Sequence, residues 1–367
     1  MVRIINSSPA EFEKIIENKT LVLFGAGQVC SWIYKIFHLE NRVKTIVDNS
    51  PSKRRSSFSC GQEKIPIVGM DDFVRCVKKN GIDDTVMLIT PHNFAIDIVE
   101  QLDEIPELDN LECYISMLLE NYYEEQDFSF SAGERRIPKK IHYCWFGGKE
   151  IPEYLQAYIN GWKELCPDYE IIRWDESNYD VSKNTYMRES YEAGKWAFVS
   201  DYARLDIVWQ EGGIYLDTDV ELLASPDKLL RDRMFCGFGG VGQVATGLGF
   251  GAEKGNEIIR EWMDVYNDKT FYNSDGSLNL TICYMYQTSI LEKHGFQIDC
   301  NTYQKKDGIV IYPSEVLNPL GLSKGARNFT RNTISVHHET LSWMKSKDKQ
   351  ERERYGEEMI HRLEIQS

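Results

Sequence analysis

Short apolar runs alternate with amphipathic stretches through the first 120 residues. Leu21-Val22-Leu23-Phe24, Val43 to Val47 and Val86-Met87-Leu88-Ile89-Thr90 read as buried strands. A strand covered on both faces loses its polar alternation, so such runs point to a parallel sheet. The first run enters Gly25-Ala26-Gly27-Gln28 and is followed by a helical stretch to about His38. That succession predicts a βαβ architecture of doubly wound type. Residues 121–136 turn acidic and aromatic, then Ser/Gly/Arg-containing, as a connector would.

A second pattern starts at Ile137. Ile137 to Phe146 reads as a buried strand entered through Pro138 and ended by Gly147-Gly148, with Trp145 at its carboxyl end. A tryptophan placed there can offer a flat face to a nucleobase. Ser200 to Gln210 predicts a helix: Ser200 suits the N-cap, Leu205, Val208 and Trp209 form an apolar stripe, and Gly212-Gly213 ends it. Asp201 and Arg204, three residues apart, then project together near the positive helix end, where an anion is favoured.

Gly212 to Val220 reads as the strand that follows. Period-two alternation puts Tyr215, Asp217 and Asp219 on one face. Two carboxylates on one face can share a hard divalent cation, Mg²⁺ or Mn²⁺, whose remaining ligands are usually water and phosphate. A calcium loop counted from Asp217 would need glycine sixth and glutamate twelfth, but those positions hold Leu222 and Lys228. Near the chain end, Ile334 and Val336 face inward on a short strand and turn His337 outward, beside His338. Either histidine could add a ligand, and alternation favours His337.

Composition narrows the partners. Forty-two basic against fifty-seven acidic residues give a net charge of −15, which disfavours nucleic acid and anionic membrane as primary partners. A local peripheral contact at a membrane stays open. Nine cysteines without a Cys-x-x-Cys pair fit reduced thiols in the cytoplasm, not a disulfide framework or zinc site. No run approaches the roughly 18 apolar residues that span a bilayer, and Met1 to Lys19 is mixed and charged without a secretory apolar core. The length suits two cores. The expected division is 1–120, a linker at 121–136, a second domain at 137–345 and a charged terminal helix at 346–367.

Taken in order, Ile141 to Gly148, Ser200 to Asp206, Gly212 to Asp219, and His337-His338 with Ser342-Trp343 resemble the retaining glycosyltransferases of family 32, the group with a sugar-binding region containing a DXD motif. The stretch is also similar to the catalytic domain of large clostridial glucosylating toxins. The resemblance implies a nucleotide-sugar transferase domain of GT-A type. It implies that Trp145 stacks on the base, with Tyr215, Asp217 and Trp343 also at the donor, and that Asp201, Arg204 and Asp217 are catalytic. Asp219 is the principal metal ligand it implies, joined by Asp217 and by His337 or His338. The donor implied is a nucleoside diphosphate sugar, a UDP-hexose before GDP-mannose. The resemblance also implies retention of configuration, with same-face attack favoured over a covalent intermediate. The acceptor expected is a glycan or lipid-linked saccharide of surface polysaccharide synthesis, handled in the cytoplasm or at the inner membrane face. A protein acceptor, as in the toxins, is the alternative.

The first unit resembles the Rossmann-like domains attached to many sugar-modifying enzymes. Asp48 lies about twenty residues beyond the glycines, where dinucleotide folds place a ribose-binding acid. Gly25, Gly27 and Asp48 are therefore a candidate ligand site. The third glycine position is Cys30, and no Tyr-x-x-x-Lys pair occurs in this unit, which counts against a working nicotinamide oxidoreductase.

Overall fold

A computed structural model describes residues 1–122, 126–319, 327–338, 354 and 356–363. It divides into two compact units. Trp343 and the rest of 339–353 lie outside the described residues. Among the described residues no helix is long and apolar enough to cross a membrane.

The first unit is the doubly wound domain expected. Its strands are β1 (Arg3–Ile4), β2 (Thr20–Phe24), β3 (Val43–Val47), β4 (Ser57–Cys60), β5 (Glu63–Val68), β6 (Thr85–Ile89) and β7 (Glu112–Ile115). They lie in the order β1-β7-β6-β2-β3-β5-β4, and every pairing except β4 with β5 is parallel. Helices α1 (Pro9–Ile16), α2 (Gln28–Ile36), α3 (Met70–Asn80), α4 (Ala95–Asp103) and α5 (Ser116–Glu120) connect them. Serine at the α1 N-cap forms a reciprocal capping box between Ser8 and Glu11. A helix over 356–363 packs on this unit. Met359 is fully buried in the core that holds Val2, Ile98 and Leu118, and Arg362 pairs with Asp103.

The second unit is built on β8 (Lys140–Cys144), β9 (Glu170–Trp174), β10 (Gly213–Tyr215), β11 (Val220–Leu222), β12 (Met234–Gly240), β13 (Gln243–Val244), β14 (Phe250–Ala252), β15 (Gln304–Lys306), β16 (Ile309–Tyr312) and β17 (Ser335–His337). The main sheet runs β15-β16-β12-β14-β10-β8-β9, with β13 paired to β12, while β11 and β17 form a separate antiparallel pair. Helices α6 (Glu153–Leu165), α7 (Thr185–Glu192), α8 (Trp196–Glu211), α9 (Glu257–Asp264), α10 (Tyr284–Lys293) and α11 (Ser314–Leu317) complete it. This is the mixed α/β layering expected of a GT-A type transferase. Strands β9, β8 and β10 are mutually parallel, so the chain leaves β8 at Trp145 and β10 at Leu216 on the same sheet edge. In open α/β sheets the carboxyl ends of parallel strands are where ligands bind.

Within the expected connector, Gln126, Phe128 and Phe130 pack on the second unit. Phe128 stacks on Tyr303 at 4.9 Å, and Phe130 lies 5.5 Å from Tyr312. Gln126 donates to the Asn301 carbonyl and accepts from the Tyr303 N–H. Aromatic rings at alternate positions gave this segment enough apolar area to join a core.

Candidate active site

The two carboxylates do not stand on one long strand. Strand β10 ends at Tyr215, and the chain then turns, closed by the Val220 N–H donating to the Asp217 carbonyl at 3.0 Å. Period-two alternation therefore stops two residues before Asp217. The turn still converges the side chains: Asp217, Asp219 and His337 offer ligand atoms that all lie within 4.8 Å of one another. His337 comes from β17, whose register pairs it with Val220 across the antiparallel ladder. Its Nε2 is 3.1 Å from Asp219 Oδ1. His338 faces elsewhere, with Nε2 2.8 Å from Glu221 Oε2 and its ring stacked on Tyr158 at 4.7 Å. Of the two histidines, His337 is the one brought to the aspartates.

Helix α8 starts at Trp196, a full turn earlier than its sequence pattern suggests. Ser200 is not its N-cap. The Ser200 hydroxyl donates to the Ala197 carbonyl, and Asp201 and Arg204 lie inside the helix, away from its positive end. The apolar stripe gave no warning, because residues 198–208 are buried on every side. Gly212 does follow the last turn, with φ of 65°.

Burial without solvent forces the Arg204 guanidinium to find its partners inside the protein. Nε donates to the Ser200 carbonyl and Nη2 to the Ser200 hydroxyl, each at 3.0 Å. Nη2 is also 3.0 Å from Asp201 Oδ1, Nη1 is 3.5 Å from Asp217 Oδ2, and the cation lies 5.1 Å over the Tyr215 ring. Burial alone would lower its basicity, but Asp217, Tyr215 and Asp201 outweigh that and raise its pKa further. Burial pushes the Asp201 carboxyl up to about 6 against the pull of Arg204. It also raises Asp217, and the neighbouring Asp219 adds to that effect.

Tyr215 lies beneath the site, 1% exposed, and its hydroxyl donates to Asp217 Oδ1 at 3.0 Å. A second support comes from Gly247, in the short turn Thr246–Leu248. A methyl group there would lie 2.7 Å from Asp217 Oδ2 and 3.3 Å from Arg204 Nη1, so the backbone forms a wall against both groups. Gln287 on α10 donates to the Thr246 hydroxyl at 2.9 Å and holds that wall, while Cys283 lies beside Asp201. Sequence reasoning missed Gly247, Cys283 and Gln287. They reach the site only through folding, and the Thr246-Gly247-Leu248-Gly249 run was the sole local sign.

Two carboxylates, Asp201 and Asp217, thus face the guanidinium, and a third, Asp219, lies beside Asp217. That excess of negative charge, with a donor set of two carboxylates and an imidazole, fits Mn²⁺ or Mg²⁺. Trp145 follows β8 half-buried, its indole N–H donating to the Lys149 carbonyl at 2.7 Å. Trp196, distant in sequence, lies in space against Gly147, where an added methyl would be 2.6 Å from its Cε2.

In the first unit, Asp48 is engaged within the protein. It accepts from the Ala26 and Ser50 N–H groups at 2.8 Å, and Lys53 Nζ sits at 3.2 Å. Burial acts to raise this carboxyl, but those three donors hold it below the usual carboxylate range. Gly25, at φ 95°, lies against Pro91, whose Cγ would be 2.5 Å from an added methyl, whereas Gly27 is open. The acid thus fastens the glycine turn, and Lys53 also donates to the Ala26 carbonyl at 3.1 Å.

Residues 152–235 match the family model described as glycosyltransferase sugar-binding region containing DXD motif. The match includes Asp201, Arg204, Asp217 and Asp219. Among curated proteins, Subversion of eukaryotic traffic protein A of Legionella pneumophila is 28% identical over 166 residues, 36% of this chain and 25% of that protein. Inositol phosphoceramide mannosyltransferase 3 of Schizosaccharomyces pombe is 34% identical over 106 residues, 28% of this chain and 30% of that protein. The alignments thus span under a third of either relative. Two solved structures share lower similarity. The PaToxG glycosyltransferase has a TM-score of 0.36 and 21% identity, covering 44% of this chain and 70% of its own. A glycosyltransferase involved in glycosylation of the major capsid of PBCV-1 has a TM-score of 0.32 and 13% identity, covering 59% and 98%.

Proposed function

We propose that this chain, which carries a glycosyltransferase sugar-binding region of the DXD class, moves a hexose from a nucleoside diphosphate sugar to a glycan or lipid-linked acceptor. The observation that carries the reading is the convergence of Asp217, Asp219 and His337 within 4.8 Å, with Arg204 3.5 Å from Asp217. Asp219 and His337 would hold Mn²⁺ or Mg²⁺, with Asp217 shared between that ion and Arg204. When bound, the ion would supply positive charge to the leaving diphosphate.

The chain's own residues account for the rest. Breaking the anomeric C–O bond places negative charge on the diphosphate. Arg204, locked by Ser200 and Asp201 before substrate arrives, offers a preorganised cation that need not reorient as the charge develops. Tyr215 and Gly247 fix the Asp217 carboxylate from two sides. Asp201, buried beside Arg204, orients the guanidinium and is placed to accept a hydrogen bond from a sugar hydroxyl. Trp145 stands at the neighbouring strand end, where its ring would stack on the base. A UDP-hexose is the favoured donor, configuration is retained through same-face attack, and the work is surface polysaccharide synthesis at the cytoplasmic face of the membrane.

The test is a thermal-shift screen of UDP- and GDP-sugars with and without Mn²⁺. A ligand that binds the folded state raises its stability by mass action. One donor raising Tm only with Mn²⁺ present is the expected result, and no shift with any donor would sink the reading.

A further inference from the structure

The segment entering α10 has two differently made sides. Inward, Cys283 lies beside Asp201, and Gln287 donates to the Thr246 hydroxyl, next to the Gly247 wall on Asp217. Outward, Tyr272, Leu280, Ile282 and Met285 are 41%, 53%, 43% and 45% exposed. These are four of the eleven large apolar side chains exposed among the described residues, gathered within fourteen positions. The Met285 N–H donates to the Ile282 carbonyl at 3.2 Å, which sets those two residues on one turn. Tyr272 is brought back toward the segment by its bridge to Leu278 and by the Asn279 N–H donating to the Phe271 carbonyl.

Charge distinguishes this surface from the remainder. From Gly276 to Leu291 no Asp, Glu, Lys or Arg occurs, in a chain whose charged content is 27%. The segment itself carries no charge, and among the described residues the one cation seen over a ring of it is Lys269, over Tyr286, so its exposed apolar ridge matches an apolar ligand. Its inner side lines the candidate active site, so the occupant has to be something that reaches Asp201 and Arg204 at one end.

We infer that Leu280, Ile282 and Met285, with Tyr272, seat the hydrocarbon chain of a lipid-linked acceptor whose sugar end enters beside Asp201. This rests on the transferase reading above and names the acceptor class for the same site. At one end of the segment the acceptor hydroxyl oxygen bonds to the anomeric carbon as the bond from that carbon to the diphosphate breaks, its proton passing to the departing diphosphate oxygen, while the hydrocarbon chain covers the apolar ridge at the other end.

The experiment uses the full chain and decyl maltoside below its micelle concentration, with maltose as the chainless control, followed by calorimetry. The wild type should bind decyl maltoside saturably and maltose at least tenfold more weakly. The double variant Ile282→Gln/Met285→Gln should lose roughly tenfold or more in decyl maltoside affinity, the scale of burying two partly covered apolar side chains. Leu165→Gln, an exposed apolar residue on α6, should lose nothing. UDP affinity with Mn²⁺ should be the same in all three proteins. Equal decyl maltoside binding by the double variant would overturn the inference. So would concentration-dependent dimerisation abolished by that variant, which would make a second copy the occupant. Patch-dependent detergent binding in a protein that binds no nucleotide would support the chain seat and sink the transferase reading alone.

Discussion

His142 and Trp174 are joined by a hydrogen bond that fixes a tautomer under the candidate active site. The indole of Trp174 can only donate, so His142 Nδ1 accepts its N–H at 3.1 Å. The Gly212 carbonyl can only accept, so His142 Nε2 must carry the proton it donates at 2.8 Å. Both ring nitrogens of a fully buried histidine are therefore assigned, and the ring ties β8 to the entrance of β10.

A pH dependence of stability follows from that pair. Burial depresses His142 from 6.5 to about 4, although the bond to Gly212 opposes this. A depressed folded-state pKa means the contribution is complete above 6.5 and is lost as pH falls toward 4. That interval bounds the loss at roughly 3 kcal/mol. Chemical unfolding at pH 7.5 and pH 4.5 should show a steeper decline for the wild type than for His142→Gln. Parallel declines would mean that His142 does not titrate in this range.

Removal of the metal-ligating carboxylate should separate binding from folding. Asp219→Ala is expected to abolish Mn²⁺-dependent donor binding and transfer. The unfolding midpoint should stay equal or rise, because Asp219 adds repulsion beside Asp217. Calorimetric titration of UDP with and without Mn²⁺ gives the readout, and near wild-type turnover would show the ion to be held elsewhere.

Gly247→Ala probes the wall. The added methyl would start 2.7 Å from Asp217 Oδ2 and must displace that carboxylate or the turn. Transfer should fall by about tenfold to a hundredfold, the cost of a misplacement near 1 Å, with a cooperative unfolding transition retained. Unchanged kcat/KM would show that Asp217 tolerates the shift.

Trp145→Ala should weaken nucleotide binding by roughly 1–3 kcal/mol, the scale of base–aromatic stacking. UDP and the full donor should lose equally, since the contact is to the base. Equal affinity in mutant and wild type would return Trp145 to a packing role over Lys149.

Fragment boundaries offer the last comparison. A fragment spanning 126–345 is expected to bind donor, whereas one starting at Glu134 loses the Phe128 and Phe130 contacts with Tyr303 and Tyr312. The shorter fragment should be less stable by about 2 kcal/mol or more. Denaturant midpoints of the two fragments decide this, and coincident curves would make residues 126–133 a bare connector.

Much of this protein is written locally. The runs at Leu21, Val43, Val86 and Ile141 are strands in the structure because a buried parallel strand needs only continuous apolar residues, which a sequence displays directly. The Gly25 turn, the stop at Gly212 and the pairing of Asp201 with Arg204 are equally local, set by backbone conformation and helical spacing. Tertiary structure decided what depends on distant surfaces. The start of α8 at Trp196 was hidden because a helix buried on all sides has no polar face to mark its phase. The turn after Tyr215 arises where β10 hands the chain to the β11–β17 pair, and that pairing, not alternation along one strand, aims His337 at Asp219 and His338 at Glu221. Gly247, Cys283 and Gln287 join Asp217 and Arg204 from far along the chain, and a close approach between backbones leaves no periodicity in a sequence to announce it.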